Sequence, residues 1–459
     1  MHSDQDPIVA ISTAFGRGGI GIVRVSVSAA LAQKAQTLLF EGRALEPRHA
    51  TLMGFRSSRG ELLDRAIVLY FPAPQSYTGE AVFEIQAHGG PVLLKLILQA
   101  CLEKCKKIGL RIAEPGEFTK RAFLNGRMDL AQAEAVSDLI DAASESAAHA
   151  ALRSMTGDFS AEVTALGNSI DELRAYVEAT LDFPEEDIDP MSDGRVESRL
   201  AEVRSRLDAI LDKARQGRVL REGLAVALAG SPNVGKSSLL NVLAGEEIAI
   251  VTEIAGTTRD KIEHWVAFDG IPVRIIDTAG VRKTEDIVEL KGIERTLQAI
   301  ENADIVLHLT DASEGIPDDP DALKEVLSRV GRHAALLSVA NKADCATAAQ
   351  RQKALAAGRL LLSVKTKEGL GELKNKILAL AQMNSNTEGL YMARERHLEC
   401  LRRTASHLVA AHDLAVASVG IELFAEELRL ASESLGEILG RTTPDDILGI
   451  IFSKFCIGK

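Results

Sequence analysis

The sequence predicts a multidomain protein of mixed α/β and α class. It has an N-terminal α+β part, a helical part interrupted in sequence, and, inserted between the helical halves, an α/β part with a parallel sheet and helices on both faces. Three observations carry that prediction. At 459 residues the chain exceeds one ordinary domain, and about 100–200 residues per domain implies about three. Hydrophobic residues make up 46% and aromatic residues only 4%, with Ala, Leu and Ile concentrated in the second and last quarters, which favours helices there and disfavours an all-β fold. Strand-like and helix-like runs alternate in one central stretch, from about Leu224 to about Leu380, the mark of a parallel α/β domain.

Taken in order, the short β-like runs IVAIS, GIVRVSV, AIVLYF and AVFEIQ are mixed with the helix-like AALAQKAQTLLF and PVLLKLILQACLEKC, the latter opened by Gly89, Gly90 and Pro91. They predict an α+β domain over residues 1–119. From Phe118 onward, AFLNGRMDLAQAEAVSDLIDAASESAAHAALRSM and VTALGNSIDELRAYVEATL carry apolar residues at helical spacing, which predicts long amphipathic helices. DFPEEDIDPMSDG, rich in acid and proline, interrupts them before RVESRLAEVRSRLDAILDKARQGRVL, so residues 120–222 form the first helical part. The α/β pattern fills residues 223–382, and HLECLRRTASHLVAAHDLAV and IELFAEELRLASESLGEILG return to helix within residues 383–459. One discontinuous helical domain is the economical arrangement; two separate helical domains are the alternative.

Acidic residues outnumber basic ones, 65 to 53, and the net charge of −12 opposes a grip on nucleic acid through the average surface. Any RNA contact must then be local or made through a partner. Cys101, Cys105, Cys345, Cys400 and Cys456 are odd in number and form no tight double pair, which indicates neither a disulfide framework nor a zinc site. The opening MHSDQDPIVA lacks the regions of a signal peptide, and no apolar run reaches membrane-spanning length, so a soluble cytoplasmic protein with no membrane partner is expected.

The strongest chemical signal follows the apolar strand AVALAG. Gly230-Ser231-Pro232-Asn233-Val234-Gly235-Lys236-Ser237, leading into a helical run that begins at Ser238, matches G-x-x-x-x-G-K-[ST] in a strand–loop–helix setting. Glycines let backbone N–H groups curl around phosphates, Lys236 reaches the β and γ phosphates, and Ser237 offers a hydroxyl to Mg²⁺. Asp277-Thr278-Ala279-Gly280 follows the strand VRIID, placing a carboxylate near the Mg²⁺ shell and a glycine N–H near the γ phosphate. Asn341-Lys342-Ala343-Asp344 follows ALLSVA; the Asp344 carboxylate can accept both N–H groups on one edge of guanine, a pair that adenine lacks. Ser363-Val364-Lys365 is a weaker match to the loop that closes over the base. Four such strings in order indicate a guanine-nucleotide hydrolase.

Between the first two lies Ile254-Ala255-Gly256-Thr257-Thr258-Arg259-Asp260, read as a switch in which Thr258 is the second hydroxyl ligand of Mg²⁺; a polar turn before HWVAF is the bland alternative. Many small GTPases place a water-orienting glutamine just after the second motif, and Val281 stands there. No arginine finger is identifiable, so water positioning and charge compensation are both unassigned by the motifs alone.

The chain resembles, essentially end to end, the MnmE (TrmE) family of tRNA-modification GTPases. The resemblance rests on GRGGIGIVR, SYTGEAVFEIQAHGGP, PGEFTKRAFLNGRMDLAQAEAVSDLIDA, AIVTEIAGTTRD, DTAGVR and the terminal FCIGK. It implies K⁺ beside the phosphates, held by Asn233 with Thr252, Ile254 and Thr257, in a switch that also includes Glu253, Ala255 and Gly256. It also implies that Glu289, in IVELKGIE, orients the attacking water indirectly; on its own that residue would pass for a solvated helical glutamate.

For the N-terminal domain the resemblance implies a constitutive homodimer holding 5-formyl- or 5,10-methylene-tetrahydrofolate, with Arg24, Glu84 and Arg127 lining the site. Members often carry lysine at the last position, and from sequence alone Arg24 with Glu84 could equally be a surface ion pair. The terminal Cys456 and Lys459 would return to the folate, Cys456 as a proposed thiol participant. A prenylation box fails there, because Gly458 is not aliphatic and Lys459 is not an accepted last residue. Gly16-x-Gly18-x-x-Gly21 spells a dinucleotide fingerprint but leads into the strand IVRVSV instead of a helix, so that reading is rejected.

The function so implied is GTP hydrolysis coupled to conversion of the wobble uridine, U34, of certain tRNAs to a 5-carboxymethylaminomethyl or 5-aminomethyl form. The resemblance also implies the flavoprotein MnmG as partner, and the negative net charge leads to the expectation that MnmG supplies most of the tRNA-binding surface. An RNA-binding ribosome-assembly GTPase is the main alternative, but it should carry a basic RNA-binding module. A dynamin-like membrane remodeller is a weaker one.

Overall fold

A computed structural model of the full chain describes residues 5–142, 144–182, 194–231, 233–246, 263–277, 303–314, 334–381, 389–417, 420–441, 445–453, 455 and 458. The chain divides into two compact units, one made of residues 1–137 and 435–459 and the other of residues 138–434.

In the first unit, strands β1 (Ile8–Ile11), β2 (Gly18–Val27), β3 (Thr51–Arg56), β4 (Leu62–Phe71), β5 (Ala81–Gly89) and β6 (Arg111–Ile112) form a sheet of order β3-β4-β5-β2-β1-β6. All neighbours are antiparallel except β1 and β6. Alternation of side chains sends Val23, Val25, Val27, Phe83, Ile85, Ala66 and Val68 to one face, where they pack with helices α1 (Ala32–Leu39) and α2 (Pro91–Lys104). The intervening residues Ile22, Arg24, Ser26, Glu84 and Gln86 belong to the other face. Strands β3 and β6 have no counterpart among the predicted runs: TLMGFR is interrupted by Gly54, and RI is too short to show a period.

The long amphipathic stretch after Phe118 is helical but punctuated. Helix α3 (Glu117–Leu124) stops at Asn125-Gly126, where Gly126 has φ +66°. Helix α4 (Leu130–Ile140) is opened by Asp129, whose side chain accepts from the Gln132 amide at 2.9 Å while Gln132 Oε1 accepts from the Asp129 amide at 3.0 Å. Helix α5 (Glu145–Thr156) begins at a Ser144 cap and ends at Gly157, which separates it from α6 (Asp158–Asp182). Period alone joined these helices because their apolar faces continue through the breaks; the caps are what divide them.

The second unit continues with α7 (Arg195–Glu222), which enters strand β7 (Leu224–Ala229) through Gly223. With α8 (Lys236–Glu246), β8 (Glu263–Phe268), β9 (Ile271–Asp277), β10 (Ile305–Asp311), β11 (Ala335–Asn341), α9 (Ala348–Ala356), β12 (Leu360–Leu361) and α10 (Leu370–Leu380), β7 builds a six-stranded sheet of order β12-β11-β10-β7-β9-β8. The pairs are parallel except for the edge pair β8 and β9, which is antiparallel. Strands β7 and β10 are buried along their whole length, as central parallel strands must be.

After the sheet come α11 (Glu395–Ala417) and α12 (Ile421–Leu439), and then α13 (Asp445–Ser453) within the first unit. Helix α7 packs against α5, α6 and α11, so helices from before and after the sheet in sequence lie together. The approach is close at Gly217, where a β-carbon would stand 2.0 Å from the Tyr391 carbonyl oxygen. Asp138 joins the same assembly, accepting from Arg221 Nε at 2.9 Å and from an Arg394 guanidinium nitrogen at 2.7 Å. The apolar core is shared too: Ala147, Ala150 and Ala151 of α5, with Leu390 and Met392, pack in one cluster with Leu228, Phe268, Ile271 and Leu307 of the sheet.

Candidate functional site: a nucleotide cradle at the strand ends

Parallel strands end in register. Leu228 of β7 pairs with Asp277 of β9, and Asp311 of β10 pairs with Asn341 of β11, so the loops after these strands share one edge of the sheet. In open α/β sheets that carboxyl edge is where ligands bind.

The buried strand β7 delivers the chain to Gly230, and the loop that follows turns into α8 at Lys236. Asn233 has φ +66° and Gly235 φ +98°, and together they curl the loop. Gly235 is required twice over, since a β-carbon there would lie 2.3 Å from Asn341 Nδ2. Val234 is buried, and its carbonyl accepts from Asn341 Nδ2 at 2.8 Å, while Asn341 Oδ1 accepts from the Val364 amide at 3.2 Å. Asn341 therefore ties three loops together. Lys236 is 9% exposed and its Nζ donates to the carbonyls of Gly230 at 2.6 Å and Ser231 at 3.0 Å, which holds the ammonium inside the loop's curve. Ser237 and Ser238 are exposed on the first turn of α8.

At the base-recognition end, Asp344 Oδ1 accepts from Ser363 Oγ at 2.7 Å and Oδ2 from Cys345 Sγ at 3.5 Å. The Ser363 hydrogen bond is the main cause that holds the Asp344 carboxyl below the usual range, so it stands ionised as an acceptor. Ser363 is fully buried, and its Oγ also accepts from the Thr366 amide at 3.2 Å. Lys342, at φ +59°, sends its Nζ 2.6 Å from Asp311 Oδ2. Burial would raise the Asp311 carboxyl, but Lys342 and Ser313 outweigh it and lower it, while the hydrogen bond to Asp311 raises Lys342. Sequence reasoning passed over Asp311. Its signal was positional: it ends β10 as Asn341 ends β11 and Asp277 ends β9.

The cradle thus brings together Asn233, Val234, Gly235, Lys236, Ser237, Ser238, Asn341, Lys342, Asp344 and Ser363, with Asp277 at the end of β9. Thr252, Glu253, Ile254, Ala255, Gly256, Thr257, Thr258, Thr278, Ala279, Gly280 and Glu289 lie outside the described residues, as do Cys456 and Lys459.

In the first unit, Arg24 and Glu84 face each other across β2 and β5, with Arg24 Nε 2.9 Å from Glu84 Oε1. The guanidinium carbon sits 5.6 Å from the Tyr77 ring centroid and 5.8 Å from that of Phe118. Arg127 is exposed beside Gly79, where a β-carbon would meet Arg127 Cγ at 3.3 Å. Gly458 lies against β1, its own missing β-carbon 2.3 Å from the Ile11 carbonyl oxygen, which brings the end of the chain to the strand that pairs with Arg24's strand.

An ion network lies nearby, in which Glu117 and Arg121 stand at i,i+4 spacing on α3 while Glu80 comes from 41 residues away. Arg121, 1% exposed, donates to Glu80 at 3.0 Å and Glu117 at 2.7 Å; Arg111 also binds Glu117 at 2.7 Å, and Ser26 Oγ donates to Glu80 at 2.7 Å. Burial alone would raise the Glu117 carboxyl, yet Arg111, the Glu114 amide and Arg121 bring it down to about 2.

Comparison with known proteins agrees with this geometry. The family described as "GTP-binding protein TrmE N-terminus" matches residues 7–127, and the "MnmE helical domain" matches residues 130–456. Proteins named tRNA modification GTPase MnmE are 51% identical in Burkholderia thailandensis, 51% in Paraburkholderia xenovorans and 52% in Burkholderia lata, each alignment covering 100% of both chains. A nucleotide cradle of this form, in a chain matched from end to end, places the protein in the MnmE family of tRNA modification GTPases.

Proposed function

We propose that this protein hydrolyses GTP in the cytoplasm to drive modification of the wobble uridine, U34, of certain tRNAs to 5-carboxymethylaminomethyluridine, working with MnmG. The observation that carries the reading is the convergence of Lys236, Asn341, Asp344 and Ser363 at one strand edge in a chain about half identical to named tRNA modification GTPases. The same full-length relationship favours it over a ribosome-assembly GTPase.

Within the cradle, Lys236 and the amides from Val234 to Ser238 would hold the phosphates, and Ser237 with Thr258 would hold Mg²⁺. The curled, exposed Asn233 suits a side-chain ligand to K⁺, with Thr252, Ile254 and Thr257 completing the set; a bound K⁺ supplies positive charge where an arginine finger otherwise would. Glu289 is assigned to orient water. Asp344, ionised and steered by Ser363, selects guanine, and Lys342, steered by Asp311, covers the base.

In the other unit, Arg24 and Glu84 with Arg127 and Lys459 would hold tetrahydrofolate, which supplies the one-carbon unit. The ion-paired Arg24 and Glu84 on a half-open sheet face, and the return of Gly458 to β1, support that assignment and a role for Cys456 near the same ligand. The first unit is taken as the homodimerisation part. We assign residues 1–119 to the folate domain, 120–222 and 383–459 to the helical domain, and 223–382 to the GTPase domain.

Nucleoside analysis of tRNA after depletion of the protein in its host tests the reading; unchanged wobble uridines would overturn it. GTP turnover should be strongly faster in K⁺ than in Na⁺ buffer, and equal rates would remove the cation from the mechanism. Glu289→Ala should cut turnover while nucleotide affinity stays near its original value.

A further inference from the structure

The glycine-rich start of GRGGIGIVR, from Gly16 to Gly21, and the AHGGP end of SYTGEAVFEIQAHGGP contribute no residue to the nucleotide cradle or to the Arg24 and Glu84 pair. They meet at one end of the first unit's sheet, where Gly18 pairs with Gly89 and a β-carbon on Gly89 would stand 2.6 Å from the Gly18 carbonyl oxygen. The glycines there divide into two kinds. Gly21 is enforced by packing, since its β-carbon would be 2.4 Å from Leu94. Gly19 is not: no atom lies within 4 Å of a β-carbon built on it, and its φ is not left-handed. The fold would accept a side chain at Gly19, so its bare backbone lies open to close approach from outside.

The side chains around it are an exposed ring, exposed aliphatics (Ile20, Val92 and Leu96) and cations. Phe15 is 86% exposed, on the loop between β1 and β2, and the Lys95 ammonium of α2 stands 6.0 Å from its ring centroid. Arg17 is exposed beside it and makes no hydrogen bond or ion pair among the described residues. His88, 76% exposed on its side chain, directs Nδ1 to Asp64 at 2.9 Å, which leaves Nε2 turned away from that carboxylate. Asp64 is the carboxylate that His88 holds, while Arg17 and Lys95 make no ion pair among the described residues. Residues 1–137 as a whole carry 16 Lys and Arg against 13 Asp and Glu, in a chain of net charge −12.

We propose that this end of the sheet is a contact surface for single-stranded RNA, with a base stacked on Phe15, phosphates drawn to Arg17 and Lys95, and the backbone at Gly19 lying close against the strand. The proposal rests on the tRNA reading above and locates the RNA on this chain. An exposed aromatic ring between unpaired cations on a bare backbone is the composition that binds unstacked bases, and an anticodon loop provides them. A second copy of the chain would bury the same aliphatic side chains, but an isologous contact centred here sets Arg17 and Lys95 against their own images, which phosphates do not. So few phosphate contacts give weak binding that salt abolishes, in keeping with a partner that supplies most of the affinity.

The test uses the full chain and a fluorescein-labelled anticodon stem–loop, read by anisotropy over a salt series, with a duplex RNA lacking the loop as control. Phe15→Ala should weaken binding about tenfold. Arg17→Glu with Lys95→Glu should do at least as much and flatten the slope of log affinity against log salt by about 1.4. Gly19→Val should weaken binding with an unchanged melting temperature, and all variants should keep the GTPase rate. Binding unaltered in every variant overturns the proposal, as does equal affinity for the duplex, or a change of sedimentation without a change in RNA affinity, which would make the patch a self-contact. Each of these outcomes leaves the tRNA reading standing, because wobble-uridine analysis tests that separately.

Discussion

At the scale of single residues, the base-recognition end is a case of one carboxylate placed by its neighbours. Asp344 is exposed, but Ser363 Oγ and Cys345 Sγ approach its two oxygens and fix the plane of the group. Asp344→Asn keeps the size and exchanges one acceptor for a donor that would face a guanine N–H. With hydrogen bonds to charged groups at about 1.5–3 kcal/mol, GTP affinity should fall about 10–100-fold. Xanthine carries a carbonyl where guanine has its amino group, so the same variant should bind the xanthine nucleotide better than GTP. Titration with the two fluorescent-labelled nucleotides decides it; equal losses for both would mean that the substitution disturbs the loop and leaves base selection untouched.

At the scale of elements, the network joining β5's approach, β6 and α3 has a signed consequence. Glu117 is an acid whose folded value, about 2, lies below its ordinary 4.5. A depressed acid stabilises the fold fully above its unfolded value, and that contribution is lost as pH falls through the folded one. The difference corresponds to about 3 kcal/mol. The first unit should therefore lose stability between about pH 4.5 and 2. Glu117→Gln leaves buried Arg121 with Glu80 as its remaining carboxylate and should cost about 3–5 kcal/mol at neutral pH. Thermal melts of both proteins across that acid range check the assignment, and a wild-type curve as flat as the variant's would refute it.

That network also marks where the sequence ran out. The strand–loop–helix from Leu224 to Glu246 was legible because glycine spacing, an apolar run and a lysine coincide within a few residues. The Asn341 and Asp344 loop was legible for the same reason. Arg121 meets Glu80 across 41 residues, and no local pattern announces that pair, although Glu117 and Arg121 stand one helical turn apart in sequence and Arg111 reaches Glu117 from six residues away. Helix α13 was missed for a related reason: its Leu448, Ile451 and Phe452 pack with Leu130 and Ala133, a contact that short-range period does not reveal. Caps inside the helical run were present as residues, but Asp129 and Ser144 also read as ordinary polar positions of an amphipathic helix.

At the scale of the whole molecule, the GTPase sheet and the helices of the second unit share a core, and that sharing is measurable. Leu390 and Met392, beyond the sheet in sequence, and Ala147, Ala150 and Ala151, before it, are buried in the same cluster as Leu228, Phe268 and Ile271. Met392 is further fixed by its amide on the Ala150 carbonyl at 3.3 Å and by its own carbonyl accepting from Ser154 Oγ at 3.1 Å. A fragment of residues 223–382 would keep the whole nucleotide cradle and lose that apolar cover. Burying a side chain of Leu or Met size is worth about 1.5–3 kcal/mol, so Leu390 and Met392 together contribute about 3–6 kcal/mol. At roughly 2–4 °C per kcal/mol for a domain of this size, the fragment should melt about 10 °C or more below the second unit of the intact chain, compared without nucleotide so that binding does not offset the loss. Its affinity for GDP should stay within a few-fold, since Lys236, Asn341, Asp344 and Ser363 draw every contact described here from within the fragment. Equal melting temperatures would mean that the shared cluster is contact without stabilisation, and that the sheet can move without disturbing the helices.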